Sequence, residues 1–167
     1  LGIKARIKMH GRLYKRPLEP LKSVLISHGA KITQKEDELF IEGKISAGNY
    51  EIEGNVSSQY ITGLLFALLA LKEESTLKVL GELQSASYVK MTLDAIESFS
   101  VKILQKNGAY VIKKEDRLIS ANLRVEGDWS NAAFWICAAA MGNARIKINN
   151  LNINSSQGDK KIIDILR

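Results

Sequence analysis

The chain of 167 residues is 46% apolar, 25% charged and 7% aromatic, an ordinary globular profile that excludes disorder, collagen and coiled coil. Its net charge of +6, from 24 basic and 18 acidic residues, favours anionic partners, but the basic residues are spread along the chain and are not interleaved with aromatics on one face, which argues against nucleic acid. One cysteine, Cys137, lies in an apolar run, and His10 and His28 are the only histidines, which excludes a disulfide scaffold and a zinc cluster.

Ile3, Ala5, Ile7 and Met9 alternate with Lys4, Arg6 and Lys8, the period of a half-buried strand. After a loop over 11–16, Pro17 suits a first helical turn. Leu18, Leu21, Leu25 and His28 share a helix face, and Gly29 supplies the stop. His28 reads as a core or boundary histidine. Short strands follow over 31–33 and 38–41 around a charged turn, then a strand over 50–53 and a helix over 57–71. The order then restarts. A strand over 76–80 leads to a helix over 88–99, and strands over 101–105 and 110–113 join through Asn107-Gly108, a hairpin signal. A strand over 122–125 and a helix over 131–141 close this part.

The pattern repeats at a fixed spacing. Leu21, His28, Ala30 and Ile32 pair with Thr92, Phe99, Val101 and Ile103 at 71 residues, and Gly54 and Ser57 with Gly127 and Ser130 at 73. A third copy starts after 144–148, with a helix over 159–166. The runs 61–71 and 132–141 are apolar almost all round, so the expected architecture is α/β units with long helices inside, side by side, and sheets outside. Both runs are shorter than the roughly 20 residues that cross a bilayer, and no apolar leader opens the chain, so the expected partners exclude a membrane and the expected setting is cytoplasmic. An opening strand and a closing helix without a stop signal give the look of a piece of a longer protein.

The sharpest local feature is Gly54-Asn55-Val56-Ser57-Ser58-Gln59-Tyr60, a loop entering the N-terminus of an apolar helix. Unpaired backbone N–H groups and the helix dipole there favour an anion, and the first turn carries no acid to neutralise them. The plain alternative is a serine N-cap. The equivalent helix starts of the later copies carry Asp128 and Asp159 and look self-satisfied. Arg12 and Arg16 flank a loop where a guanidinium can grip a carboxylate or phosphate, or stand as solvated charges.

These segments, with Ser85-Ala86-Ser87-Tyr88, Val125-Glu126-Gly127-Asp128 and Ser156-Gln157-Gly158-Asp159, closely resemble the 5-enolpyruvylshikimate-3-phosphate synthase family (3-phosphoshikimate 1-carboxyvinyltransferases). The Ser-Ser-Gln helix entry separates that family from the sister UDP-N-acetylglucosamine enolpyruvyl transferases. The family usually has Lys-Pro at Ala86-Ser87. The resemblance implies repeated βαβαββ units in the inside-out α/β architecture of enolpyruvyl transferases. It implies residues 1–124 as most of a first, substrate-binding domain and 125–167 as a crossover and the truncated start of a second.

The implied reaction moves the enolpyruvyl group of phosphoenolpyruvate to the 5-hydroxyl of shikimate 3-phosphate, with no cofactor and no metal. The resemblance gives Ser57, Ser58 and Ser85 the phosphate of shikimate 3-phosphate and Gln59 the ring and the enolpyruvyl site. Tyr88 lines the shikimate pocket, and Arg12 binds phosphoenolpyruvate. The implied partners are these two substrates and the remainder of the same enzyme chain. No catalytic residue is expected within the chain. The alternative is a non-catalytic anion-binding module on the same scaffold.

Overall fold

The computed structural model describes residues 2–71, 73–142 and 144–166; Leu1 and Arg167, on which the expectation of cut ends rests, lie outside them. The first sheet has the order β1-β3-β2, with β1 (Ala5–Lys8), β2 (Ala30–Lys35) and β3 (Glu38–Gly43) all antiparallel, and α1 (Leu21–Ser27) connects β1 to β2. The second sheet has the order β4-β5-β7-β6, from β4 (Asn49–Glu53), β5 (Ser75–Leu80), β6 (Leu104–Lys106) and β7 (Ala109–Ile112). Its β4 and β5 are parallel, a pairing that needs a crossover, and α2 (Ser58–Leu71) provides it. With α3 (Ala86–Ser98) between β5 and β6, the run from β4 to β7 reads βαβαββ, as expected.

The repeat is visible in the strand register. Thr33 faces Phe40 and Gln34 faces Leu39 in the first hairpin, and Leu104 faces Val111 and Gln105 faces Tyr110 in the second. Each residue is displaced by the same 71 positions as the sequence pattern. Both hairpins turn through a left-handed residue at the equivalent place, Glu36 at φ 49° and Asn107 at φ 52°. Both helices α1 and α3 exit through one, Gly29 at φ 107° and Ser100 at φ 69°.

The core lies between the second sheet and its helices. Tyr50 and Ile52 of β4, Leu77 of β5, Tyr110 and Ile112 of β7, and Val89 and Ile96 of α3 close around Ile61, Leu64, Leu65, Leu68 and Leu69 of α2. Leu21, Val24 and Leu25 of α1 cover its flank. Thus α2 is the inner helix that its all-round apolarity predicts. His28 is satisfied as expected, with Nδ1 2.8 Å from the Val24 carbonyl, Nε2 3.2 Å from that of Asn49 and its ring stacked on Tyr50.

Several boundaries differ from the sequence reading. The first helix begins at Leu21 and not near Pro17, because Pro20 disfavours helical backbone at Glu19, whose carboxylate instead accepts the Ser23 amide at 3.1 Å. The sixth strand starts at Leu104; residues 101–103 lead into it. Residues 122–125 form no strand. The Val125 carbonyl accepts the Asn150 side chain at 3.1 Å instead of a strand partner's amide. The last helix is a 3-10 turn at Gly158–Lys161 followed by α5 (Ile162–Ile165).

The fourth helix, α4 (Trp129–Gly142), departs most. Only Trp129 and Ala132 are buried, while Phe134, Trp135 and Met141 are 77%, 63% and 88% exposed. It packs on the 158–161 turn and not alongside α2, so the expected pair of inner helices reduces to α2. A helix that is apolar all round has no preferred inner face in its sequence, and burial follows the neighbours available.

Candidate functional site

Two strand-to-helix loops are stitched together at Gly54. Its amide donates to the Leu80 carbonyl at 2.9 Å, and its carbonyl accepts the Gln84 amide at 3.1 Å. The approach is so close that a Cβ on Gly54 would lie 2.7 Å from Val79 Cγ1 and 2.9 Å from the Glu82 carbonyl oxygen. Glycine is therefore required by space. This joint brings the turn holding Ser57 and Ser58 against the loop that delivers Ser85.

The Ser57 hydroxyl accepts the Gln59 amide at 3.2 Å, which uses it as a cap. Next to it, Ser58 is the first residue of α2 and only 8% exposed, yet its hydroxyl hydrogen-bonds to none of the described residues. It borders a shallow depression between α2 and α3 together with Gln59, Thr62, Tyr88 and Thr92, floored by Phe66, Met91 and Ala95. The side chains of Gln59 and Tyr88 face solvent there and also lack partners among the described residues. Ser85 precedes α3 at φ 55°, ψ 43°, with an exposed hydroxyl that makes no capping bond. A serine held left-handed is strained by about 1 to 2 kcal/mol.

Arg12 does not join this depression. It is exposed, on the loop after β1, with no side-chain partner among the described residues. Its loop reaches the site through another route, for the Tyr60 hydroxyl donates to the Pro17 carbonyl at 2.5 Å. Tyr60, Thr62 and Thr92 have no site role in the sequence pattern. The two threonines bond each other at 2.7 Å across α2 and α3. Each lies four residues beyond a candidate, Thr62 after Ser58 and Thr92 after Tyr88, a spacing that places them on the same helix faces.

The later copy of this joint is an internal comparison. There Gly127 donates to the Asn150 carbonyl at 2.7 Å, and a Cβ would meet that oxygen at 3.0 Å. The helix end it delivers is already occupied by the chain's own groups. Asp128 accepts the Ser130 amide at 2.9 Å and the Asn131 side chain, the Ser130 hydroxyl donates to Asp159, and Gln157 Oε1 accepts the Trp129 amide at 2.8 Å. Beside it, hydrogen bonds from Ser155 and Gln157 hold the Glu126 carboxyl below the usual range. One helix start carries its own anionic groups; the start of α2 has polar, uncharged side chains and no acid in its first turn.

Comparison with known proteins follows the same lines. The family model of EPSP synthase (3-phosphoshikimate 1-carboxyvinyltransferase) matches residues 8–167. A 3-phosphoshikimate 1-carboxyvinyltransferase of Clostridium beijerinckii is 42% identical over 160 residues, which are 94% of this chain and 37% of that protein. One of Clostridium perfringens is 41% identical over 159 residues, 93% of this chain and 37% of that protein. Thus the chain spans just over a third of the length of these relatives. EPSP synthase from Acinetobacter baumannii has the same fold, with a TM-score of 0.69 at 20% identity over 98% of this chain and 37% of that one. The enolpyruvyl transferase NikO from Streptomyces tendae is more distant, with a TM-score of 0.51 at 14% identity over 81% and 33%.

Proposed function

The chain belongs to the EPSP synthase family, and from that membership we propose that it supplies the phosphate seat for shikimate 3-phosphate in a 3-phosphoshikimate 1-carboxyvinyltransferase. That enzyme transfers the enolpyruvyl group of phosphoenolpyruvate to the 5-hydroxyl of shikimate 3-phosphate and releases phosphate, in the aromatic amino acid (chorismate) pathway. The observation that carries the proposal is the difference between the two equivalent helix starts, one filled by Asp128 and Asp159 and the other lined by Ser57, Ser58 and Gln59.

In this reading the Ser57, Ser58 and Ser85 hydroxyls donate to phosphate oxygens at the N-terminus of α2. The dipole contributes about 0.3 to 1 kcal/mol and each hydrogen bond to the charged group about 1.5 to 3 before desolvation. Gln59 and Tyr88 flank the ring, and Arg12 takes phosphoenolpyruvate. Residues 1–124 form most of the substrate-binding domain and 125–167 the crossover into the next. A lone cysteine fits a reducing, cytoplasmic setting. Transfer also needs a proton donor for the methylene carbon and a base for the hydroxyl, within hydrogen-bond reach. The reading assigns those to the remainder of the enzyme, so the 167-residue chain alone shows no turnover.

The test is an NMR titration of the chain with shikimate 3-phosphate. Millimolar binding is expected, weakened about a hundredfold in Ser57→Ala/Ser58→Ala, the worth of two charged hydrogen bonds at about tenfold each. Equal shifts in both proteins refute the seat and leave only the scaffold.

A further inference from the structure

We infer that Tyr60 is a positioning residue whose hydroxyl sets the Arg12 loop against the serine turn and so couples the two anion seats. The inference rests on the proposed function above. The Tyr60 ring packs against the core while its hydroxyl reaches out to the Pro17 carbonyl at 2.5 Å. Tyr60 follows Ser57, Ser58 and Gln59 directly, and its amide donates to the Ser57 carbonyl at 3.2 Å. One residue therefore touches both elements, the serine turn through its amide and the loop through its hydroxyl.

The loop it grips behaves as a single piece. The Lys15 amide donates to the Arg12 carbonyl and the Arg16 amide to that of Leu13, both at 3.1 Å, closing the 3-10 turn Leu13–Lys15. Gln34 Nε2 holds the far side through the Tyr14 carbonyl at 2.9 Å. Along the chain, Arg12 and Ser57 are separated by α1, β2, β3 and β4. On its other side the loop runs into α1, where the Lys22 amide donates to the Leu18 carbonyl at 2.9 Å. The serine turn belongs to the second sheet through Gly54 and Leu80. The Tyr60 hydroxyl is a direct bond between the segment that follows the Arg12 turn and the helix that opens with the serines, a physical contact through which two sites can couple.

The experiment compares the chain with Tyr60→Phe, which keeps the ring in the core and removes only the hydroxyl. Each protein is titrated by NMR with shikimate 3-phosphate, with phosphoenolpyruvate, and with each in the presence of the other. The variant is expected to melt within about 4 °C of wild type. It should keep shikimate 3-phosphate affinity within about twofold and lose about fivefold for phosphoenolpyruvate, the worth of one net hydrogen bond. The mutual strengthening of the two ligands should fall by a similar factor, with amide shifts over residues 12–16 moved before any ligand is added. Unchanged phosphoenolpyruvate affinity and coupling, or equal losses for both ligands, overturns the inference while the phosphate seat stands. Wild type that binds shikimate 3-phosphate but not phosphoenolpyruvate overturns it too. Wild type that binds neither refutes the phosphate seat and this inference with it.

Discussion

Ser100 stands at the exit of α3 in the place that Gly29 takes at the exit of α1, both left-handed, at φ 69° and φ 107°. Their amides make matching bonds, Gly29 to the Ile26 carbonyl at 3.1 Å and Ser100 to that of Glu97 at 2.9 Å. Glycine adopts this conformation freely, whereas a residue with a Cβ is strained there. Ser100→Gly should therefore stabilise the chain by about 0.5 to 1 kcal/mol, less the entropy that glycine adds to the unfolded state. The reverse change, Gly29→Ala, would put a Cβ 2.7 Å from the Lys44 carbonyl oxygen and should destabilise by more. Denaturant melts of both variants decide; a Ser100→Gly protein less stable than wild type contradicts the argument.

Ser85 carries the same kind of strain next to the candidate site, so stability and binding should separate there. Ser85→Gly relieves the left-handed backbone and removes the hydroxyl. It should raise the unfolding free energy by about 0.5 to 1 kcal/mol and weaken shikimate 3-phosphate about tenfold. Ser85→Ala keeps the strain and should only weaken binding. A paired set of melts and titrations reads this; a glycine variant that binds as well as wild type removes Ser85 from the seat.

Acid should loosen the segment around Glu126 before the core. The Glu126 carboxyl is held below its ordinary value near 4.5 by hydrogen bonds from Ser155 and Gln157. Burial pushes the Asp94 carboxyl upward, but the Ser156 hydroxyl and Lys90 outweigh it and hold the group below its ordinary 3.8. A carboxyl lowered in the folded state contributes stability that is complete above its ordinary value and is lost as pH falls through the folded one. The loss therefore begins below about pH 4.5 at Glu126 and below about 3.8 at Asp94. On titration from pH 6 to 3 the Trp129 indole N–H, which donates to the Asn152 carbonyl at 3.0 Å, should lose exchange protection before the amides of α2. In Glu126→Gln that pH dependence should shrink; an unchanged profile would assign it elsewhere.

Much of this was readable in the sequence because it rested on short-range rules. The two hairpins, the repeat spacing and the inner position of α2 follow from alternation, turn residues and all-round apolarity. What was not readable depends on neighbours. The late start of α1 turns on one proline. The exposure of Phe134 and Trp135 depends on what packs beside α4, which periodicity does not encode. At the site, the serine turn stood out because it lacked acid, whereas Thr62 and Thr92 could be found only by following the i, i+4 face. Tyr60 on α2 meets Pro17, in the loop before α1, across 43 residues of sequence, and no local spacing announces such a contact.

The glycine joint separates folding from ligand choice. At Gly54 the connection between successive loops is made by backbone atoms and by the lack of a side chain, and at Gly127 the same close approach to a carbonyl is kept while the Gln157 side chain adds a bond to the glycine carbonyl at 3.0 Å, so the residues that follow the glycine can differ between the copies. In one copy they became Asp128 and a partner for Asp159; in the other, serines and a glutamine. A duplicated unit of this kind can acquire, lose or exchange a charged guest by two or three substitutions per helix entrance, which makes the joint the evolvable element of the architecture and the entrance its interchangeable fitting.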